Sequence, residues 1–522
     1  MSHVLFSLLL TMQQTYEECE ALTQKTHQVL TAPKVRLCRT IDLHALARQA
    51  QRSKLESCFI HALEKNGVEG HPFDSLTNQE PLEQHKDNHK DAVNVFGGDV
   101  SLFETDNFAI WWGESTAFEQ THITTLGEHF EVIWDVQINA LGYPAPESSD
   151  ALKVNVYIGD THPDLPSAEG NAGYFWYDPE GRPMLVLSQD IIAYPDSAKL
   201  TAAHEFFHAV QSAVGTYQFQ DQALWYLEAT ANWILEEVFT ADGGYSNTLY
   251  AVAMRPEFPL NHFGDYTTDG LEADHHYGAF IFATYLSEHV GGPDFIRDSF
   301  VEANVGADPL LVIDALLAEH DSNIHVAHLD YAMHNATWDY RFESDYEASV
   351  SDAASLGESH RVSGYLDGLS SEWTAEIAYP PFTYGANYWR LTNMPDRFYL
   401  DFEGESGVQW SVGLASQSGS DHVQRPLFHQ EEETLVMVKE WQNTPQNWLV
   451  VSAIEDVVDR GDPFTYRFRL RSVEDVEAEG TSEPDSEEPA GFGCTSVPAT
   501  GGSHFILMAL VLLFRKKLLP PS

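Results

Sequence analysis

The sequence predicts an α+β region followed by an all-β region. Between about residues 101 and 340 short apolar strands alternate with helical patterns, and from Tyr379 to Arg471 the hydrophobic period switches to two. The chain has 522 residues, 43% hydrophobic and 12% aromatic, enough apolar material to bury real cores in about two to four domains.

In order along the chain, 108–112 reads as a strand, 118–140 as a long helix and 152–158 as an alternating strand. A hairpin over 173–177 and 184–188 turns at Asp178-Pro179-Glu180-Gly181-Arg182-Pro183. Helices follow. One is capped at Asp196 or Ser197 and stops at Gly215; one covers 221–239 and ends near Gly243-Gly244; one covers 275–290 and closes at Gly291-Gly292-Pro293. Asp308-Pro309 opens a fourth with an N-cap and a proline in the first turn, and 324–338 suggests a fifth. Six short strands are then expected at 384–391, 397–402, 408–414, 434–438, 448–453 and 464–470, forming a β-sandwich.

The net charge excludes one class of function. With 28 Lys+Arg against 79 Asp+Glu, a formal −51, the chain would repel polyphosphate, so no nucleic-acid partner is expected. Four cysteines rule out a disulfide scaffold or a cysteine-rich metal framework. The expected organisation is a signal-like stretch at 1–15, a helical leader or prosegment at 16–95, an α+β domain at 96–345, the sandwich at 372–472, an acidic linker at 473–492 and a C-terminal tail at 493–522. The apolar run near Leu5–Leu10 has no Lys or Arg before it and no clear cleavage site, and a buried first helix is the alternative. The segment 16–95 is either a cover removed from a site or a plain accessory region.

The centre of the functional argument is His204-Glu205-Phe206-Phe207-His208. Positions i and i+4 share one helix face, so both imidazoles can reach one ion. Glu205, rotated about 100° from His204, falls beside such an ion, where a base can take a proton from water. Twenty residues after His208, Glu228 sits in Leu224-Trp225-Tyr226-Leu227-Glu228-Ala229-Thr230-Ala231-Asn232-Trp233, an acid in an otherwise apolar helix and a candidate third ligand. The apolar stripe there is Leu224, Leu227, Ala231, Ile234 and Val238, and Glu236 and Glu237 further along are expected at the surface. Two His and one Glu leave a fourth position open for water, the catalytic arrangement.

On these residues the chain resembles the gluzincins, the zinc metallopeptidases typified by thermolysin, and within them the hyicolysin-like and myxobacterial surface enzymes. The resemblance covers roughly 100–340 and implies a zincin-like fold, one zinc ion held by His204, His208 and Glu228, and Glu205 as general base. A calcium ion in addition stays open, with no residue pattern that supports it. Where many of that family carry Asp four residues after the glutamate ligand, this chain has Asn232, whose amide can still accept the imidazole N–H but adds no charge. The family also implies a Tyr or His on a later helix that stabilises the oxyanion. Tyr277 and then His276 are the candidates, with Gly278 expected to leave room for substrate; a core tyrosine beside a surface histidine pair is the alternative. Tyr174 is expected either on an edge strand that pairs with substrate backbone or in ordinary strand packing.

The tail resembles the processed sorting tails of myxobacterial surface proteins. It runs from an acidic linker through Gly493-Cys494 to an apolar run at 505–514 and Arg515-Lys516-Lys517. Ten residues at ~1.5 Å each span only about half a hydrocarbon core. The resemblance implies a C-terminal processing enzyme, a lipid-linked Cys494 and a secreted or cell-surface location; a frayed hydrophobic tail is the alternative. The reading as a whole is a secreted or surface-anchored zinc endopeptidase acting on protein or peptide. The rivals are a zinc hydrolase of another amide or ester and an inert adhesion protein on the same scaffold.

Overall fold

Three strands of the first sheet run parallel, and a parallel strand flanked by others has no wet face. The strands are β1 (Ser101–Glu104), β2 (Phe108–Trp112), β3 (Val154–Gly159), β4 (Gly173–Tyr177) and β5 (Pro183–Ser188), in the order β1-β2-β3-β5-β4. β2, β3 and β5 are parallel, with Phe108 opposite Val154 and Asn155 opposite Met184. β4 returns antiparallel, Gly173 opposite Leu187, and is the outermost strand on its side. The alternation expected for β3 does not produce a solvated face: every residue of it is buried. Its polar Asn155 accepts from Trp111 Nε1 at 2.9 Å and donates to the Val93 carbonyl at 2.9 Å.

The computed structural model describes residues 90–479, apart from 116, 169, 218–219, 241–247, 265–272, 355–360 and 456–460. The signal-like stretch, nearly all of the leader, most of the acidic linker and the sorting tail therefore lie outside the described residues. The last residues assigned to the leader are part of the α+β fold, since Asp91 pairs through its backbone with Ala151 and Lys153.

Helices pack over the sheet. α1 (Gln120–Trp134) continues as a π-helical turn, Asp135–Ala140. α2 (Gln189–Ile192) and α3 (Pro195–Val214) follow, then a 3-10 turn and α4 (Leu224–Val238), α5 (Leu249–Met254), α6 (His275–Gly278) and α7 (Phe280–Tyr285). α8 (Pro293–Val301), α9 (Pro309–Leu317), α10 (Ile324–Thr337) and α11 (Glu343–Ala354) complete the set, and a short α12 (Val473–Ala478) closes the described chain. The single helix expected over 275–290 is broken at Ala279, whose ψ is −4°, and ends in a π-helical turn. Pro293, expected to close that helix, also opens α8, because proline suits the first turn of the next helix as well as it stops the last.

The second region has a five-stranded and a three-stranded sheet. β6 (Gly364–Asp367), β7 (Gly385–Thr392), β9 (Gln409–Ser418), β10 (Asp421–Phe428) and β12 (Gln446–Ile454) are ordered β10-β9-β12-β7-β6. β8 (Phe398–Gly404), β11 (Glu433–Val438) and β13 (Tyr466–Arg471) are ordered β11-β8-β13. Trp389, Phe402, Trp410, Val451 and Phe468 form a core shared by both sheets. The six expected strands are all present. β6 and β10 are additional; neither has a fully buried residue, and their few apolar side chains leave too little pattern to mark them in the sequence.

The five-stranded sheet buries its other face against α10, through Leu329 and Met333 packed on Tyr388, Ala415 and Val450. Successive residues of a strand point to opposite faces, so in β12 Leu449 and Val451 serve the sheet core while Trp448 and Val450 serve α10. Buried His328 of α10 pins this seam, Nε2 to the Tyr384 carbonyl at 2.9 Å and Nδ1 to Ser452 Oγ at 2.6 Å. Residues 90–473 accordingly lie in one compact unit.

Gly385, where β7 starts, tests the seam. A Cβ there would lie 2.2 Å from the Glu257 carbonyl oxygen, which is backbone and cannot step aside. Gly385→Ala should cost about 1–3 kcal/mol and lower Tm by several degrees with unchanged far-UV circular dichroism; an unaltered Tm would show that the two segments are not in contact.

Candidate metal centre

Packing aims the ligand helix. Phe206 lies about 200° round α3 from His204, on the side away from the imidazole. It sits against Phe108 and Trp134, with ring centroids 5.2 and 5.7 Å away. Phe207 packs on Tyr143 and Trp233. These contacts grip α3 and leave His204 as its partly exposed ligand, while His208 is fully buried. The buried Gln137 of the π-helical turn donates to the Ala203 carbonyl at 3.1 Å, bracing α3 one residue before His204. At the other end of the site the Tyr177 and Ser212 hydroxyls join β4 to α3.

The three expected ligands converge. His204 Nε2 is 3.1 Å from His208 Nε2 and 3.2 Å from Glu228 Oε2, and His208 Nε2 is 3.5 Å from the same oxygen. Ligands about 2.0–2.1 Å from a tetrahedral ion lie about 3.3 Å from one another, the spacing of this triangle. These residues can hold a metal ion, and they are the one such cluster among the described residues.

The outer ring nitrogens are spent elsewhere, which decides what the inner ones can do. Asn232 Nδ2 faces two acceptors, the Tyr277 carbonyl at 3.2 Å and Thr248 Oγ1 at 3.3 Å. Its Oδ1 therefore faces His204 Nδ1, at 3.0 Å, and accepts that proton. Gln211 does the same for His208. Its Nε2 donates to the Leu227 carbonyl at 2.9 Å and Thr230 Oγ1 at 3.0 Å, and its Oε1 accepts from Nδ1 at 2.7 Å. Both imidazoles are thereby held with Nε2 turned inward, as metal ligands require. Asn232 stands out in the sequence; Gln211, one turn beyond His208, reads there as an ordinary polar position, and its role shows only in these contacts.

The cluster's charges are tightly coupled. Burial opposes ionisation of Glu228, but the neighbouring His208 and His204 outweigh it and hold the carboxyl well below its usual range. Burial likewise works against a charged His208, and the Glu228 carboxylate overcomes it, pushing the imidazole up to about 9. Without a metal, a proton thus occupies the centre at neutral pH.

The remaining expected residues are close by. Glu205 is buried, and its charge is felt by His208. Tyr277 is half-buried with its ring 6.2 Å from that of His204. His276 is fully buried, stacked on Phe263 at 4.3 Å, and burial lowers its pKa to about 4, so it is neutral. Gly278 is explained differently from expectation: a Cβ there would meet the Thr248 carbonyl at 2.6 Å, so packing on α5 and not room for substrate requires it. Tyr174 does lie on the outermost strand β4, but its side chain belongs to the core. Two further expectations need correction. α4 is buried almost all round, not along one stripe. Glu236, expected at the surface, is fully buried, whereas Glu237 is partly exposed and pairs with Arg341 at 3.3 Å.

Residues 79–454, a span that includes the metal centre and most of the β region, match the Family of unknown function (DUF6055), and the chain belongs to that family. No curated protein matches the chain.

Two outcomes follow from the geometry. Gln211→Ala should weaken metal binding about 10–100-fold, because His208 loses the acceptor that sets its tautomer; equal affinity by competition titration would refute that role. Because the metal displaces the His208 proton, affinity should rise with pH by about tenfold per unit up to roughly pH 9 and then level. Calorimetry in buffers of different ionisation enthalpy should show proton release at pH 7, and none would contradict it.

Proposed function

We propose that this member of the DUF6055 family is a zinc-dependent peptidase with a zincin-like catalytic region. The observation that carries the reading is the triangle of His204, His208 and Glu228 donor atoms at tetrahedral spacing, with both outer nitrogens already engaged. Two imidazoles and a single carboxylate suit zinc and not calcium or magnesium, which take mainly oxygen ligands. A zinc ion held there supplies Lewis acidity toward a carbonyl and toward water.

The chain's own residues do the rest. Glu205, beside the ligands on α3, takes the proton of the attacking water and returns it to the leaving amine. Asn232 and Gln211 keep the imidazoles oriented throughout. Tyr277, next to His204, donates its hydroxyl hydrogen to the developing oxyanion. The strand β4, fastened to α3 through Tyr177 and Ser212, offers backbone groups along which an extended peptide can lie, which favours a peptide over another amide or ester. Its setting would be extracellular or at the cell surface, as the sorting-like tail implies.

The decisive experiment joins metal analysis to casein turnover. The reading expects one zinc per chain and cleavage abolished by chelation; a chain without zinc, or a zinc-loaded chain inert on all peptides, overturns it. Glu205→Gln should retain zinc and lose about 10²–10⁴-fold in kcat, and activity retained in that loaded variant would refute the base. Tyr277→Phe should lower kcat by an amount equivalent to about 2.7–4 kcal/mol with KM and zinc content unchanged. If His276→Ala gives that signature instead, the donor is His276.

A further inference from the structure

Three polar side chains from separate parts of the chain meet at the start of β2, and none of them belongs to the metal centre. Lys90 Nζ lies 2.6 Å from Asn107 Oδ1, in the turn between β1 and β2. Asn107 Nδ2 donates to Glu131 Oε2 of α1 at 2.6 Å, and the Asn107 backbone N–H donates to Glu131 Oε1 at 2.7 Å. The carboxamide therefore stands between an amine on its oxygen side and a carboxylate on its nitrogen side. Reversing it would set donor against donor and acceptor against acceptor, so its orientation is fixed.

The backbones on both sides are anchored to the same strand. Asp91, next to Lys90, pairs with Ala151 and Lys153 at 3.0 and 2.9 Å, and the Asn107 carbonyl accepts from the Val154 N–H at 2.9 Å. Trp134, one turn beyond Glu131 on α1, places its ring 4.3 Å from Lys90 Nζ and shields that side from water. Burial lowers the Lys90 pKa and so favours the neutral amine, against the carboxylates of Glu131, Asp150 and Asp106. Three carboxylates act on this lysine, yet its amine faces a carboxamide. A carbonyl bond is about 1.23 Å long, so an amine hydrogen-bonded to its oxygen stands about 3–3.5 Å from its carbon, the separation of a near-attack pair.

We propose that Lys90 and Asn107 join in an intramolecular isopeptide bond, with Glu131 carrying the proton. Once the ammonium has lost a proton to water, the Lys90 amine attacks Asn107 Cγ and a C–N bond forms. Glu131 takes the proton that the attacking nitrogen gives up and passes it to Nδ2. The bond from Cγ to Nδ2 then breaks and ammonia leaves, with the carboxylate regenerated. One amine and one carboxamide become one secondary amide and one ammonia, without oxidant, cofactor or second protein. The bond closes a ring that contains β1, between residues 17 positions apart, and fastens the entry of the α+β region to its sheet. It stands independently of the metal-centre reading.

Peptide mapping of the purified full chain, unfolded before digestion, tests this. The expected product is a branched peptide joining Lys90 to Asn107, lighter than its two linear parts together by about 17 Da, the mass of one ammonia. Linear peptides with Lys90 and Asn107 unmodified, from folded wild type held at mildly alkaline pH, overturn the proposal. A gain of about 1 Da at Asn107 without a branch, which is hydrolysis in place of linkage, overturns it as well. Lys90→Arg keeps a cation beside Trp134 and a donor to Asn107 but has no nucleophilic amine, so the branch should disappear. A branch that persists there refutes the assignment to Lys90. Glu131→Gln cannot carry the proton and should yield the linear peptides in place of the branched one, and a branched peptide in equal yield refutes Glu131 as the carrier.

Discussion

The geometry of the candidate centre depends on where two protons are. His204 and His208 each give an Nδ1 hydrogen to a side-chain amide, and each amide is held in one orientation by two acceptors on its other arm. Reversing either amide would set its N–H groups against an imidazole N–H and its oxygen against carbonyl or hydroxyl oxygens. That cost keeps both Nε2 lone pairs pointing at one place, together with a carboxylate oxygen. Both partners are uncharged, so orientation is achieved without adding negative charge beside the ligands.

The acceptors that hold the amides come from the fold. Gln211 reaches across from α3 to the backbone of α4 at Leu227, beside the Glu228 ligand, so one side chain sets a histidine and ties two ligand helices together. Asn232 reaches from α4 to the carbonyl of Tyr277, the residue proposed to face substrate. The aromatic packing of Phe206 and Phe207 keeps α3 from rotating within this frame. Dense cores resist small shifts, and so polar contacts near 3 Å can be maintained over several elements at once.

The β region is a structural partner of the same unit. Its five-stranded sheet is buried on both faces, one against the three-stranded sheet and one against α10, and the loop after α5 meets the start of β7 at Glu257 and Gly385. The site is thus braced from the side of α5 and α6 by residues more than a hundred positions away in the chain.

By itself the sequence determined the candidate ligand cluster and most elements, because both are local. His204 and His208 are separated by one helical turn, Glu228 is a conspicuous acid in an apolar helix, and period-two runs mark β7, β8, β9, β11, β12 and β13. Short or half-wet elements such as α5, β6 and β10 leave too weak a pattern for the same reading. Only the tertiary structure decided the fate of residues whose role depends on what faces them. Gln211 and Glu236 read as ordinary polar positions on helices, yet one orients a ligand and the other is sealed among hydroxyls, since burial is a property of neighbours brought together across the chain. Gly278 likewise reads as open space beside a candidate donor and proves to be a contact with a backbone carbonyl. Periodicity shows which face of a helix is apolar; it does not reveal which polar atom will meet that face when a second helix closes over it.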